Sequence, residues 1–433
     1  MKRSWIVLLV WIIAGAGAIG TGRELLYNLW YLLTALIVFC FVWAWTSIRW
    51  VDVQRHTHTN RSQVGKIAEE HFVVTNRGLF PKLWLEVRDR STLPEHAASK
   101  VVDSLGARQA RTWSVKTRCR QRGRFLLGPV SLTSGDPFGL FTMQRQLTQL
   151  AETSFIVYPA TVDLPFFAPM VGPLSGGGSL RRRTHYVTTN VSGVREYAPG
   201  DSFNRIHWPS TARTGRLISK EFELDPTADV WLFLDLERAA QVELISAEPE
   251  GRAEALLPWE RPSQLRLAPS TLEYAVTIGA SLTKHFIARD QAVGFIGYSR
   301  HREVIPADRG ERQLTKILEL LAVISAEGRI PIGEVLAAEG AHLGRNTTAV
   351  IVTATDRDYW ISAAYELNRR SVNVVAVVLE SQSFGSSISN ESLAAQLAAT
   401  GVLTYVVREG DDLIQGLSSP YGHVGTQVKY QVQ

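Results

Sequence analysis

Residues 194–223, VREYAPGDSFNRIHWPSTARTGRLISKEFE, gather arginines, acids, a histidine and a tryptophan within one short run of the chain. Four guanidinium groups, Arg195, Arg205, Arg213 and Arg216, can each grip a carboxylate or a phosphate through two parallel N–H donors. Glu196, Asp201 and His207 stand among them and could pass protons. Trp208 adds a large ring with one N–H donor. Two readings stay open. The arginines could face outwards as a docking surface or anionic-ligand site, or they could pair with the acids as an internal lattice that pins a long loop.

The elements that must position these groups are short. Pro199 and Gly200 suit the two corners of a turn, because proline presets a negative φ and glycine accepts a positive one. Residues 213–216 read as a second tight loop. Residues 217–222 then read as a strand that alternates apolar and polar apart from the charged run at its end.

The same stretch resembles the signature of the DUF fifty-eight family. The matching positions are Gly193, Arg195, Glu196, Tyr197, Pro199, Gly200, Asp201, Arg205, Ile206, Trp208, Ala212, Arg213, Gly215 and Leu217. The resemblance continues upstream in Arg122, Gly123, Gly128 and Pro129 and in the GDPFGLF run at 135–141. Downstream it continues in a region similar to a von Willebrand factor A module. It covers nearly the whole chain. It implies a bacterial setting, an AAA+ ATPase of the MoxR type as partner and, more loosely, transglutaminase-like membrane proteins.

The 433 residues suffice for two or three domains with cores of their own, and 20% charged against 45% hydrophobic residues marks a globular chain. The net charge of +5 is modest. With only Cys40 and Cys119, a disulfide framework is not expected. Cys119 lacks a nearby His or Asn partner and reads as a strand cysteine. Residues 5–20 and 25–48 are two apolar runs, each near the length of a bilayer-crossing helix, joined by a four-residue link. They read as a transmembrane hairpin with tryptophans near the run ends. Lys2, Arg3 and the small residues at 14–18 also suit a signal peptide, although the second run would still anchor the chain. Basic residues at Lys2, Arg3, Arg49, Arg55, Arg61 and Lys66 put both ends, and hence the soluble body, in the cytoplasm of a multi-pass cell-membrane protein.

The expected fold is multidomain. Residues 1–49 form two transmembrane helices, and 50–170 an all-β sandwich-like domain of short alternating strands. Residues 171–227 hold a Gly-rich linker and the signature segment. Residues 228–433 form a von Willebrand factor A-like α/β domain with a doubly wound parallel sheet, because strands alternate with helical patterns. Within it, Ser270 and Glu273 read as a capping box opening a helix. From 181 to 220 there are eight Lys or Arg against two acids with aromatics interleaved, a composition that could suit nucleic acid. The anchor and the family resemblance point elsewhere, so no nucleic-acid partner is expected.

Ligands of open α/β sheets bind at the carboxyl ends of the strands, where Asp235 stands. The resemblance to von Willebrand factor A domains implies a D-x-S-x-S magnesium site there. In this chain the run is Asp235, Leu236, Glu237, Arg238, Ala239, with both serines missing. Asp235 and Glu237 are therefore candidates for a degenerate metal site. No cofactor is expected, and magnesium is the ion this position could take. The chain contains no G-x-S-x-G, P-loop GK[ST], HExxH or CxxC pattern. The expected role is a non-enzymatic, membrane-anchored interaction or scaffold protein. The alternative is an enzyme or anionic-ligand-binding protein that uses Arg195, Glu196, Asp201, Arg205, His207, Trp208 and Arg213.

Overall fold

The structure, a computed structural model, describes residues 2–57, 59–167, 183–184, 191–198, 206–223, 229–244, 267–344 and 347–421. The chain divides between Pro159 and Ala160 into two compact units.

Unit one begins with α1 (Lys2–Thr21) and α2 (Glu24–Ile48). Both are long and apolar enough to cross a membrane. Their apolar residues run all round the helix, the pattern of a helix bathed in an apolar medium. They run antiparallel, and the indole of Trp11 donates to Thr34 Oγ1 across the pair at 2.8 Å. At a rise of 1.5 Å per residue α1 is about 30 Å long, the thickness of a bilayer's hydrocarbon core.

Ten strands follow: β1 (Val51–Thr57), β2 (Arg61–Gln63), β3 (Ile67–Asn76), β4 (Lys82–Asp89), β5 (Lys100–Leu105), β6 (Ala110–Arg118), β7 (Gly123–Leu127), β8 (Val130–Gly135), β9 (Thr142–Gln146) and β10 (Thr153–Tyr158). They form sheets in the orders β1-β3-β6, β5-β4-β8-β9 and β2-β10-β7. Burial alternates along β3 from Glu70 to Asn76, so one face turns inwards. Phe72 and Val74 from that face share one core with Leu85, Val87 and Leu132 of the second sheet, which is sandwich packing. Asn76 holds the turn between β3 and β4, donating to Phe80 O and Gly106 O at 2.9 Å each. The turn leads from one sheet into the other. Cys119 is buried in a smaller core with Leu127, Phe155 and Val157.

Residues 160–167 belong to unit two, whereas the sequence reading carries the β domain on to 170. Leu164 and Phe167 join the core of unit two, where Phe167 packs edge-on against Phe286. Their apolar side chains read equally well as the tail of a strand domain, and only their packing partners decide.

Part of the stretch expected to be linker and signature segment is a small antiparallel sheet of β11 (Arg183–Thr184), β12 (Val191–Glu196) and β13 (Ile218–Glu223), with β13 central. A short helix, α3 (Trp208–Thr214), precedes β13. The remainder of unit two holds β14 (Val230–Leu234), α4 (Thr271–Ile287), β15 (Val293–Tyr298), β16 (Arg302–Asp308), α5 (Glu311–Val323), α6 (Ile332–Gly340), β17 (Thr348–Thr353), α7 (Tyr359–Arg369), β18 (Asn373–Leu379), α8 (Glu391–Ala399), β19 (Leu403–Val407) and α9 (Leu413–Gly416). The sheet order is β16-β15-β14-β17-β18-β19, parallel except for the antiparallel edge strand β16. Its strands are near-continuous apolar runs because helices cover both faces. One core joins the sheet to α4 and α5, the other to α6, α7 and α8.

The alternation of strands and helices expected from the sequence is present in this sheet, although α6 and α9 are not among the expected elements. Helix α6 carries glycines at 333 and 340. They are there for closeness: a Cβ on Gly333 or Gly340 would come within 2.7 Å of Tyr359 or Leu367 on α7. At the start of α4, Ser270 takes the N-cap place but its side chain makes no cap bond, so the capping box is not formed.

Candidate functional site

Among the described residues of the signature segment, the local order is set by β12, α3 and β13. His207 is the N-cap of α3, its Nδ1 accepting from Ser210 N at 3.3 Å and lying 2.7 Å from Ser210 Oγ. This fixes the imidazole as a helix cap. Gly215 ends the helix in the left-handed region at φ 68°, the C-terminal stop that glycine makes without strain. Residues 213–216, read from the sequence as a loop, are thus the last turn of a helix and its stop. Pairing of β12 with β13 sets Arg195 opposite Ser219 and Glu196 opposite Ile218.

The polar groups of this segment lie at the surface. Arg216 pairs with Glu196 at 2.9 Å with both side chains more than two-thirds exposed. Arg195 Nη1 donates to Glu196 O at 3.0 Å. Arg213 is exposed, and Trp208 is 64% exposed on the first turn of α3. A buried ion-pair lattice is not what these described residues make. Asp201, Arg205 and the turn at Pro199 and Gly200 lie outside the described residues.

A second candidate site lies at the carboxyl ends of β14 and β17. The chain leaves these neighbouring strands in opposite directions across the sheet, which makes this the switch point where α/β folds bind ligands. Asp235 is 2% exposed there. Its Oδ2 accepts from Thr353 Oγ1 at 2.6 Å and its Oδ1 from Glu237 N at 3.0 Å. Burial pushes its pKa up to about 6; the Thr353 hydroxyl and the Glu237 amide oppose that shift, and the charge of Glu237 adds to it. The Glu237 carboxylate accepts from the Tyr359 hydroxyl at 3.3 Å and lies 3.8 Å from the Arg357 guanidinium. Burial, then the charges of Glu237 and Asp235, raise the Tyr359 phenol to about 12. Thr271 donates to Gln241 or to Val242 O, and Gln241 in turn donates to Asp235 O at 2.9 Å.

Magnesium requires oxygens converging in an octahedron. Here the Asp235 oxygens already receive hydrogens, Glu237 is turned towards a phenol and a guanidinium, and Ala239 has no donor atom. Asp356, beyond β17, is exposed. Among the described residues no group of three or more His, Cys, Asp and Glu is arranged to hold a metal ion. The donor set does not fit magnesium as it stands. What the residues do make is a latch: one carboxylate ties together the ends of two strands and the loop after β14.

Among the described residues a buried lattice lies in unit one, which the sequence reading did not anticipate. Arg55 grips Glu70 Oε2 through Nε at 2.9 Å and Nη2 at 2.7 Å, and lies 3.5 Å from Asp89. His96 Nε2 is 3.1 Å from Asp89 Oδ2 and 3.7 Å from Glu70 Oε2. All four side chains are at least nine-tenths buried. Burial raises the Asp89 pKa, but the His96 hydrogen bond, Arg55 and the Ser91 hydroxyl outweigh it and hold the carboxyl below its ordinary value. A signal was present in the sequence. Arg55 shares the strand parity of Val51 and Val53, and Glu70 that of Phe72 and Val74, so both are charges on a core face.

Comparison with known proteins adds the following. The family model described as "Protein of unknown function DUF58" matches residues 193–252, which include α3 and β13. An uncharacterized protein of Bacillus subtilis (strain 168), YeaD, is 23% identical over 284 residues, covering 63% of this chain and 63% of its own length. The chain thus spans less than two thirds of that relative. Among solved structures, proximal thread matrix protein 1 from the mussel byssus is similar over 40% of this chain and 47% of its own, at 11% identity and a TM-score of 0.25. The CARDB domain of a Pyrococcus furiosus protein is similar over 25% of this chain and 86% of its own, at 17% identity and a TM-score of 0.19. Likenesses at these scores carry no weight for fold or function.

Proposed function

We propose that this chain, which belongs to the DUF58 family, is a membrane-anchored, non-enzymatic interaction protein whose signature segment docks an AAA+ ATPase of the MoxR type. The observation that carries the reading is the presentation of Trp208 and Arg213 on α3. Trp208 is 64% exposed, yet the helix beneath it is capped at both ends and hydrogen-bonded to β13. Tryptophan and arginine on a rigid support are the residue types that dominate binding hot spots, because little side-chain or backbone entropy remains to be lost on docking.

Unit two is read as von Willebrand factor A-like, on its strand order and on the acidic residue at its switch point. The Asp235 latch supports a role for that domain as a rigid carrier of the segment. The two apolar helices support anchoring, with the soluble body in the cytoplasm. A transglutaminase-like membrane protein is a further candidate neighbour.

The test is capture of the ATPase from detergent-solubilised membranes, with and without ATP, by the full chain and by Trp208→Ala and Arg213→Ala. Both substitutions should reduce capture at least several-fold and leave thermal melting nearly unchanged, since both side chains are exposed. Undiminished capture by both variants would reject the segment as the docking surface.

A further inference from the structure

The helices and the β sandwich of unit one meet at a depth that has a consequence. The 136–141 turn, which joins β8 to β9, lies against both helices. The Phe141 ring meets the Phe41 ring edge-on at 5.8 Å between centroids, and Ser4 Oγ donates to Leu140 O at 2.7 Å. Phe41 stands seven residues before the end of α2 at Ile48, roughly 10 Å along the axis at 1.5 Å per residue. The 25 residues of α2 span about 37 Å, some 7 Å more than the hydrocarbon core. Even with all of that excess on the Ile48 side, a turn level with Phe41 reaches the acyl chains when α2 crosses a bilayer. A second loop, 77–81, sits just beyond the helix end. Arg77 N donates to Trp50 O at 2.7 Å, and Lys82 Nζ caps Thr46 O at 2.5 Å.

Both loops carry large apolar side chains that the protein leaves uncovered. Phe138 is 56% exposed, Leu79 71% and Phe80 59%. Four backbone N–H groups of the 136–141 turn are satisfied within it, which lowers the cost of apolar surroundings. Asp136 Oδ2 accepts from Phe138 N at 2.9 Å and Oδ1 from Phe141 N at 2.6 Å. Gly139 N donates to Asp136 O, and Asp136 N to Phe141 O.

We propose that the sandwich is itself a membrane-contacting body: the 136–141 turn inserts Phe138 into the lipid acyl boundary beside α2, and the 77–81 loop rests Leu79 and Phe80 on the same bilayer surface. The partner is the lipid that surrounds α1 and α2, and the proposal rests on the reading of those helices as membrane-spanning. Phe41, exposed on α2, touches Phe141 at one end of the turn whose tip carries the exposed Phe138. The sandwich is then held at the membrane by three points, the helix end and two loops, and cannot swing about Trp50 as a tethered ball would.

The test uses the full chain in phosphatidylcholine–phosphatidylglycerol vesicles, with a nitroxide label at Phe138→Cys, Leu79→Cys, Lys116→Cys or Ala35→Cys. Cys40 and Cys119 are both buried, so the unsubstituted protein serves as the labelling blank. Lys116 is the aqueous control. It pairs with Glu69, seven residues up β3 from Asn76 and about 23 Å from the membrane end at 3.3 Å per residue. Ala35 reports the middle of α2. The label at Phe138 should show an oxygen-to-nickel accessibility ratio several-fold above that at Lys116 and approaching that at Ala35, with Leu79 in between. A Phe138 label as open to aqueous nickel as the Lys116 label, with Ala35 lipid-exposed, would overturn the insertion while leaving the anchor intact. Aqueous accessibility at Ala35 as well would overturn the membrane-spanning reading and the proposal with it.

Discussion

A carboxylate removed from water is costly unless its oxygens are met by donors, and the residues of this chain answer that demand in two ways. In unit one, one oxygen of each carboxylate is met by a side-chain nitrogen, Glu70 Oε2 by Arg55 and Asp89 Oδ2 by His96. In unit two, Asp235 is met by one hydroxyl and one amide, both neutral, and its pKa rises to about 6. A folded-state pKa above the unfolded value means that the folded chain holds the proton more tightly. The stabilisation is therefore complete below about pH 4 and is lost as pH rises through about 6. Asp235→Asn keeps the shape and removes the charge. Urea unfolding of the full chain in detergent should show the variant gaining on the parent between pH 5 and pH 7.5, by on the order of 1–3 kcal/mol. A difference between the two that does not change with pH would mean that Asp235 is not the group that titrates.

The elements are held to one another by close approaches as much as by cores. The loop after β14 is clamped to the 325–330 connection, where Gly328 N donates to Leu236 O and Arg238 N to Gly328 O at 2.9 Å each. A Cβ on Gly328 would collide with Tyr298 O and with Leu236 O. These are backbone atoms of a strand end and of the Asp235 loop, so neither can swing aside as a side-chain tip would. Gly328→Ala should cost about 1–3 kcal/mol and lower the melting temperature by several degrees. Because Leu236 is displaced, it should also weaken the pH dependence assigned to Asp235. A melting curve matching the parent would show that the loop relaxes freely and that the latch is not braced by this contact.

For the molecule as a whole the question is which side of the membrane the body faces. Lys2 and Arg3 open α1, and Arg49, Arg61 and Lys66 follow α2, whereas at the junction of the helices Arg23 stands beside Glu24, the first residue of α2. Folding turns Arg55 inwards onto Glu70, but the rule counts charges near the helix ends while the chain is being inserted. A reporter fused after Gln433 should behave as cytoplasmic, and protease added outside intact cells should leave the body uncut. Ready cleavage of the body from outside would reverse the orientation and remove a cytoplasmic ATPase from the candidate partners.

Local pattern was enough for the two apolar helices, for the alternation of strand and helix in unit two, and for the strand ends near Asp235. Each depends on residues close in sequence: an unbroken apolar run, a period of two, a period near 3.6. The family signature was equally legible, because a motif is read residue by residue. Partnership across the chain was not. Thr353 lies 118 residues from Asp235, and only the parallel register of β14 and β17 brings the hydroxyl to the carboxylate. Arg55, Glu70, Asp89 and His96 come from different strands and loops, and their meeting depends on how the sheets stack. The need for glycine at 333 and 340 was not legible either, since it depends on the close approach of Tyr359 and Leu367 from α7. The depth of the 136–141 turn along α2 likewise had no trace in the order of residues, since it is set by packing between Phe141 and Phe41, 100 positions apart in the numbering.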